Sequence, residues 1–368
     1  MFRKSPSYIG VDIGTTGLKV AELKRIKNKP RLINYGYSDE ISDFANKDLQ
    51  IDIEKSASIL KEVLKKSNIK SINGIVAMPS FAVFSSVLNL TNADEKDLES
   101  TVMWEAKKVV PLDLEEMILD WKVIKDSDNQ VKKKVDNQEK EPAEVKDEEN
   151  SGDKKNTKIL LTGAPKNLVN KYIEIFKKAK INLLSLETEM FSLVRSLVGE
   201  DPAIVAVVDL GAVNTDIAII ENGLPMFSRS IDSGGIMITK AISESLKVDF
   251  RRAEQFKLDF SLNSQQSTNQ NELPKIIQET ISPIVNEIKY SLNLFQQENN
   301  KKIEKVILSG GGANLVNVID YLSNLLNIKV IAGDPWARVS YPLDLKPVLD
   351  EIGPKMSIAV GLALREVD

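Results

Sequence analysis

Residues 8–23 set a pattern that the chain later repeats. Ile9, Val11 and Ile13 alternate with smaller or polar positions, pass through Gly14-Thr15-Thr16-Gly17, and resume as Leu18, Val20 and Leu23. Period-two apolar spacing around a glycine-rich turn predicts two strands joined as a hairpin. Residues 31–37 predict a third strand, residues 53–67 a helix with Ala57, Leu60, Val63 and Leu64 inward, and residues 72–78 a buried strand ending at Pro79. From Ser80 the rhythm changes. Residues 82–90 predict a strand, and Asn92 with Glu95 forms a capping box ahead of a helix whose Leu98, Val102, Ala106 and Val109 share one face as far as Pro111. Leu119, Trp121 and Val123 alternate as a strand, and after a gap come strand 159–162, helix 168–176 and strand 181–186. Together these elements predict a small α+β module, 80–185, inserted into a first α/β lobe.

A helix over 189–197, with Phe191, Val194 and Leu197 inward, is broken at Asp201-Pro202. The strand that follows, VAVVDLG, turns through Ala212-Val213-Asn214 and returns over 215–220. VDIGTTGLKVAEL and VDLGAVNTDIAII therefore share one register of Asp, one residue, Gly, a small-polar turn and a returning apolar strand. Beyond the repeat, a helix follows Ser233-Gly234-Gly235 and a second covers 250–258; 261–271 reads as a polar loop. A long helix over 273–295 carries Ile277, Ile281, Ile284, Ile288, Leu292 and Phe295 in series with Pro283 inside it. Strand 303–308 runs into Ser309-Gly310-Gly311-Gly312-Ala313-Asn314, where a helix 315–326 is expected to begin, and Ala359, Gly361 and Ala363 in segment 357–364 suit close helix packing. The resulting division is a lobe I core 1–79, the insertion 80–185, a connecting helix 186–200, a lobe II core 201–233, an outer subdomain 234–302, more lobe II core 303–350, and a closing helix 351–368.

Stretch 125–158 is nearly all Lys, Asp, Glu, Asn and Gln, too polar to offset the entropy of ordering, and is expected to be a disordered loop, either dispensable or regulatory. Length changes the picture once: 368 residues exceed what one core usually supports. Composition changes it again, because the chain has no cysteine and no histidine. That excludes thiol nucleophiles, disulfides, imidazole bases and the usual zinc ligands, and leaves carboxylates, hydroxyls and a hard cation such as Mg²⁺. A formal charge of -4 with scattered Lys and Arg gives no reason to expect nucleic acid. No stretch is long and apolar enough for a signal peptide or a membrane span, so a cytoplasmic protein without direct membrane insertion is expected.

The first turn suits a polyphosphate. Gly14 and Gly17 let backbone N–H groups approach an anion, Thr15 and Thr16 add hydroxyls, Lys19 adds charge, and Asp12 can hold Mg²⁺ through water. An ordinary glycine-rich hairpin fits the same residues. Likewise, the strand and triple glycine at 303–312 bring backbone close to a ligand or make a tight turn. The repeat tips the balance: two lobes, each presenting an Asp-x-Gly hairpin, can close on one nucleotide, with Asp12 and Asp209 sharing one metal.

With these motifs in order, the chain resembles the actin-like ATPase superfamily of actin, sugar kinases and DnaK-type chaperones, and within it the PilM family of type IV pilus assembly, with FtsA the nearest relative. WEAKKVVPLDLEEMILDW, EMFSLVRSL and SIAVGLALRE carry the likeness, and the chain stops soon after Leu364, where FtsA-like proteins continue into an amphipathic segment. The resemblance implies a two-lobed actin-like (ribonuclease H-like) α/β fold that binds ATP and Mg²⁺. It implies that Gly14, Thr15, Thr16 and Lys19 hold phosphates from one side and Gly211, Asn214 and Thr215 from the other. Asp12 and Asp209 would take the metal, Gly310, Gly311, Gly312 and Asn314 the adenosine side, and Glu254 with Lys257 the ribose side. Glu189 would orient the attacking water, with slow turnover at most. The implied partner is the cytoplasmic N-terminal tail of an inner-membrane PilN-like protein, captured by the insertion at the inner face of the membrane, with self-association as a further contact. An FtsA-like division protein and a small-molecule kinase are the alternatives.

Overall fold

The computed structural model describes residues 6–38, 52–91, 98–124, 156–262 and 273–368. The capping box at Asn92 and Glu95, residues 125–155 of the polar stretch and 263–271 of the predicted loop lie outside the described residues, while 261–262 of that loop end a helix instead. The first hairpin pairs β1 (Ser7–Gly14) with β2 (Gly17–Ile26), setting Asp12 opposite Lys19. Strand β3 (Lys29–Ser38) adds antiparallel to β2. Helix α1 (Ile53–Lys66) starts at Asp52, whose carboxylate accepts from the Lys55 N–H, and it buries Ala57, Leu60, Val63 and Leu64 as its spacing predicts. Strand β4 (Asn73–Met78) then lies parallel to β1.

A second compact unit covers Val83–Asn167. In it β5 (Phe84–Thr91), β6 (Met117–Ile124) and β7 (Asn156–Pro165) form an antiparallel sheet ordered β5-β7-β6, joined by helix α2 (Leu98–Val109). Its core is Leu88, Leu90, Val102, Ala106, Ile159 and Leu161, while Val109 at the helix end stays exposed. Sequence pattern carries the insertion on to residue 185, but α3 (Lys166–Ala179) and β8 (Asn182–Thr188) complete the first sheet. Parallel neighbours need a crossover, and α3, burying Tyr172, Ile175 and Phe176, leads into β8 where it pairs parallel with β4.

Helix α4 (Glu189–Leu193) continues into a π-helical turn, Val194–Val198. The wider spacing rotates the inward face, so Met190, Leu193, Val194 and Val198 are buried while Phe191 and Leu197 are only half-buried. The second half then repeats the first: β9 (Val205–Leu210), β10 (Thr215–Glu221) and β11 (Leu224–Ile231), helices α5 (Gly235–Leu246), α6 (Phe250–Leu262) and α7 (Lys275–Asn299), then β12 (Lys305–Ser309), α8 (Val318–Leu326) and β13 (Lys329–Ala332). Sheet orders β3-β2-β1-β4-β8 and β11-β10-β9-β12-β13 match strand for strand, with two antiparallel steps followed by two parallel ones in each.

The closing helix α9 (Lys346–Leu364) locks the two halves together. Its Ile358 and Leu362 share one core with Ile75 and Ala77 of the first sheet and Val205, Val207, Ala218, Ile220 and Ile307 of the second. The expected close packing is present: a Cβ on Gly361 would stand 1.9 Å from the Ser192 carbonyl, and one on Gly10 would stand 1.9 Å from that of Ala359.

Candidate functional site

The two hairpins bring their aspartates to matching places. Asp12, near the end of β1 and 4% exposed, pairs with Lys19 at 3.1 Å. The Lys19 ammonium expected on phosphate is thus engaged by its cross-strand neighbour. Asp209, near the end of β9, stands beside Asp216 of β10 on one side and Ser309 of β12 on the other. Asp216 is 6% exposed and its Oδ1 has no protein hydrogen-bond partner. Pattern reading passed over this residue, although its register opposite Asp209 follows from the hairpin already predicted.

Glu189 opens α4, where Thr188 caps the helix and the Ser80 N–H donates to Glu189 Oε2 at 2.9 Å. Burial raises its carboxyl well above the ordinary range, and Asp216, Asp12 and Asp209 push it the same way while the Ser80 N–H opposes them. Burial, then Asp216 and Asp12, push Asp209 up to about 7 against the Ser309 hydroxyl and Lys19. Asp216 is pushed up to about 6 by burial, with the Ser230 hydroxyl pulling the other way. Four carboxylates, two from each half, therefore lie within one another's fields. Among the described residues no three of them cage a metal unaided. A cation there would complete its shell from phosphate and water, as Mg²⁺ does.

Around the acidic cluster the remaining predicted residues divide. Thr15 is exposed at the first turn. In the second hairpin the Gly211 N–H donates to the Asn214 carbonyl at 3.0 Å, and the N-terminus of α5 docks on the turn through Gly235 N–H to Gly211 at 2.9 Å and Ile236 N–H to Ala212 at 2.8 Å. The Asn214 amide donates to Asp232 at 2.8 Å, and the fully buried Thr215 hydroxyl donates to the Ser233 carbonyl at 2.7 Å, which holds the hairpin. Lys257 pairs with Glu254 at 2.7 Å; its ammonium also donates to the Thr239 hydroxyl at 2.9 Å, which in turn donates to Glu254. The pair sits at the start of α5, with Lys257 donating to the Gly235 carbonyl at 3.3 Å.

The triple glycine forms a 3-10 turn, Gly311–Asn314, and α8 starts only at Val318, so its N–H groups are not those of a helix start as pattern had suggested. Gly310, at φ +79°, donates its N–H to the Pro354 carbonyl at 3.1 Å, and a Cβ there would press on the Leu210 carbonyl at 2.4 Å. Gly312 has no room for a Cβ beside Leu210, whereas a Cβ on Gly311 would meet nothing within 4 Å. Asn314 donates its amide to the Glu351 carbonyl at 3.0 Å.

Against known proteins, the family model for type IV pilus assembly protein PilM matches residues 10–137 and 144–367. The chain belongs to the PilM family. It is similar to a chain of a PilM-PilN type IV pilus biogenesis complex, at TM-score 0.79 with 21% identity over 98% of each chain. It is also similar to MreB 5 of Spiroplasma citri bound to AMPPNP, at TM-score 0.52 with 13% identity over 99% of this chain and 97% of that one. Cell division protein FtsA of Enterococcus faecalis is 22% identical over 89% of this chain and 78% of its own length. The fold is thus actin-like, as the motifs implied. Among the described residues no helix is long and apolar enough to cross a membrane.

Proposed function

We propose that this PilM-family protein is an ATP- and Mg²⁺-binding cytoplasmic component of a type IV pilus inner-membrane assembly complex, and that its inserted unit captures the cytoplasmic N-terminal tail of a PilN-like membrane protein. One observation carries the nucleotide part: duplicated hairpins bring Asp12 and Asp209 into one electrostatic neighbourhood whose carboxyls repel each other. The residues fit the ligand. An unpartnered Asp216 Oδ1, raised carboxyls short of countercharge, and open space over Gly311 are what a cation-bound nucleotide would satisfy. Gly14, Thr15 and Thr16 and the Gly211 turn would hold phosphates, Asp12 and Asp209 the hydrated metal, Gly310, Gly311 and Gly312 the adenosine side, and Glu254 with Lys257 the ribose side. When bound, Mg²⁺ supplies the positive charge that offsets the phosphate oxygens. Glu189 orients water, and turnover is slow.

Support for the partner comes from the family and from the structural likeness to a PilM-PilN complex. The inserted unit itself exposes Met103, Trp104, Leu112 and Ile118, apolar surface of the kind peptide grooves use. The test is binding of a labelled synthetic peptide of the PilN-like tail to the chain, with and without Mg·ATP. Deleting 83–167 is expected to abolish peptide binding and keep nucleotide affinity. Unchanged peptide binding removes the unit's role, and sugar-dependent ATP consumption by the purified chain would favour a kinase instead.

A further inference from the structure

The first compact unit ends its opening segment at Ala82, and Glu189 is fastened to the last residues before that exit. The Ser80 N–H donates to Glu189 Oε2 at 2.9 Å, and the Ser80 hydroxyl lies 3.4 Å from the same oxygen. Ser80 opens a 3-10 turn, Ser80–Ala82, closed by the Ala82 N–H on the Pro79 carbonyl at 3.0 Å. Backbone, not a side-chain rotamer, therefore aims the donor. From the other side Glu189 is held by α4, whose Ser192 hydroxyl donates to the Glu189 carbonyl at 2.6 Å and whose backbone lies against Gly361 of α9. The segment returning from the insertion reaches the same place. Tyr172 of α3 is fully buried, its hydroxyl has no protein partner, and Glu189 is the charge that acts most on it.

We propose that Ser80 is a positioning residue: its backbone N–H fixes the Glu189 carboxylate in the orientation from which it directs the hydrolytic water, making the outgoing connection of the inserted unit a part of the ATPase site. The proposal rests on the nucleotide reading above. Its consequence is a direct mechanical path, since any displacement of the 79–82 segment when the inserted unit takes a partner moves the donor that aims Glu189.

Two substitutions at one position separate donor from hydroxyl. Ser80→Pro removes the N–H while a 3-10 turn accepts its fixed φ, and Ser80→Ala keeps the N–H and removes only the hydroxyl. Single-turnover hydrolysis of radiolabelled Mg·ATP by the full chain is expected to slow about tenfold in Ser80→Pro and to stay within about twofold in Ser80→Ala, with Kd for Mg·ATP within about twofold in both. In Ser80→Pro the acid limb of the pH–rate profile moves to higher pH, because the lost N–H favoured the ionised carboxylate. In a Glu189→Gln background Ser80→Pro adds no further loss. Equal slowing by Ser80→Ala, full additivity with Glu189→Gln, or a normal rate in Ser80→Pro overturns the proposal. If Ser80→Pro lacks a cooperative melt, Ser80→Gly, which keeps the N–H but loosens the turn, replaces it: several-fold slowing is expected, and a normal rate overturns. No hydrolysis by a wild-type chain that binds Mg·ATP overturns this proposal alone, whereas absence of Mg·ATP binding defeats the nucleotide reading beneath it.

Discussion

Asp209 and Asp216 keep their protons to unusually high pH, about 7 and about 6, because burial penalises both charged forms and, at Asp209, the Asp216 and Asp12 carboxylates add to it. The linkage has a definite sign. A carboxyl raised in the folded state binds protons there that the unfolded chain has already released, so stability falls as pH rises from the ordinary carboxylate range through the folded value. Urea unfolding of the nucleotide-free chain is therefore expected to show greater stability at pH 5.5 than at pH 7.5 (about two units apart), and Asp209→Asn is expected to flatten that slope. Ion-paired carboxylates act in another window: Asp201, lowered first by the Lys305 hydrogen bond, loses its contribution only as pH falls below the ordinary value of 3.8. A flat profile between pH 5.5 and 7.5 would mean that the cluster is solvated and not the site described. Tyr172 gives a second residue-scale outcome. Its hydroxyl is buried without a protein partner, so Tyr172→Phe should raise stability by about 1 kcal/mol, read as a shift in the urea midpoint at unchanged m.

Single elements show where sequence pattern reached and where it stopped. The hairpins, α1 and α7 were legible because each carries apolar residues at a fixed period; in α1 and α7 that face is the one buried, whereas β1 and β10 are buried on both faces. Strand β11 was missed because Ser228, Arg229 and Ser230 break its apolar run at an edge, and β13 because its four residues are too short to show a period. The assignment of α3 and β8 to the insertion followed chain order, and only the pairing of β8 with β4 places them in the first sheet. In the site, glycine positions were legible but their separate duties were not. A Cβ on Gly312 would stand 2.1 Å from Leu210 Cδ2, whereas Gly311 faces open space. Gly312→Ala should accordingly destabilise the chain by about 1–3 kcal/mol through overpacking. Gly311→Leu should leave the melting temperature unchanged yet weaken Mg·ATP binding at least about tenfold by filling the space a nucleotide would take. Calorimetry and thermal melts on the two variants check both, and normal affinity in Gly311→Leu would remove the triple glycine from the site.

At the scale of the whole molecule, Asp12 belongs to the first sheet and Asp209 to the second, and the proposed function has both serve one cation, a claim that neither half makes alone. Two ligands of one ion are coupled, and two sites in separate halves are not, so a double-mutant cycle distinguishes them. Asp12→Asn carries a side effect, because Lys19, with only 16% of its side chain exposed, loses its 3.1 Å ionic contact with Asp12, and some loss of stability follows. The cycle is therefore read on the Mg²⁺-dependent part of ATP affinity, measured well below each variant's melting temperature. Each single change to Asn should weaken that part by about 10- to 100-fold, and the double change should cost clearly less than the product of the two, since an ion already lost through one aspartate cannot be lost again through the other. Strict additivity would mean that the halves bind independently, and the shared core formed by Ile358 and Leu362 of α9 with both sheets would then be a scaffold without a common ligand.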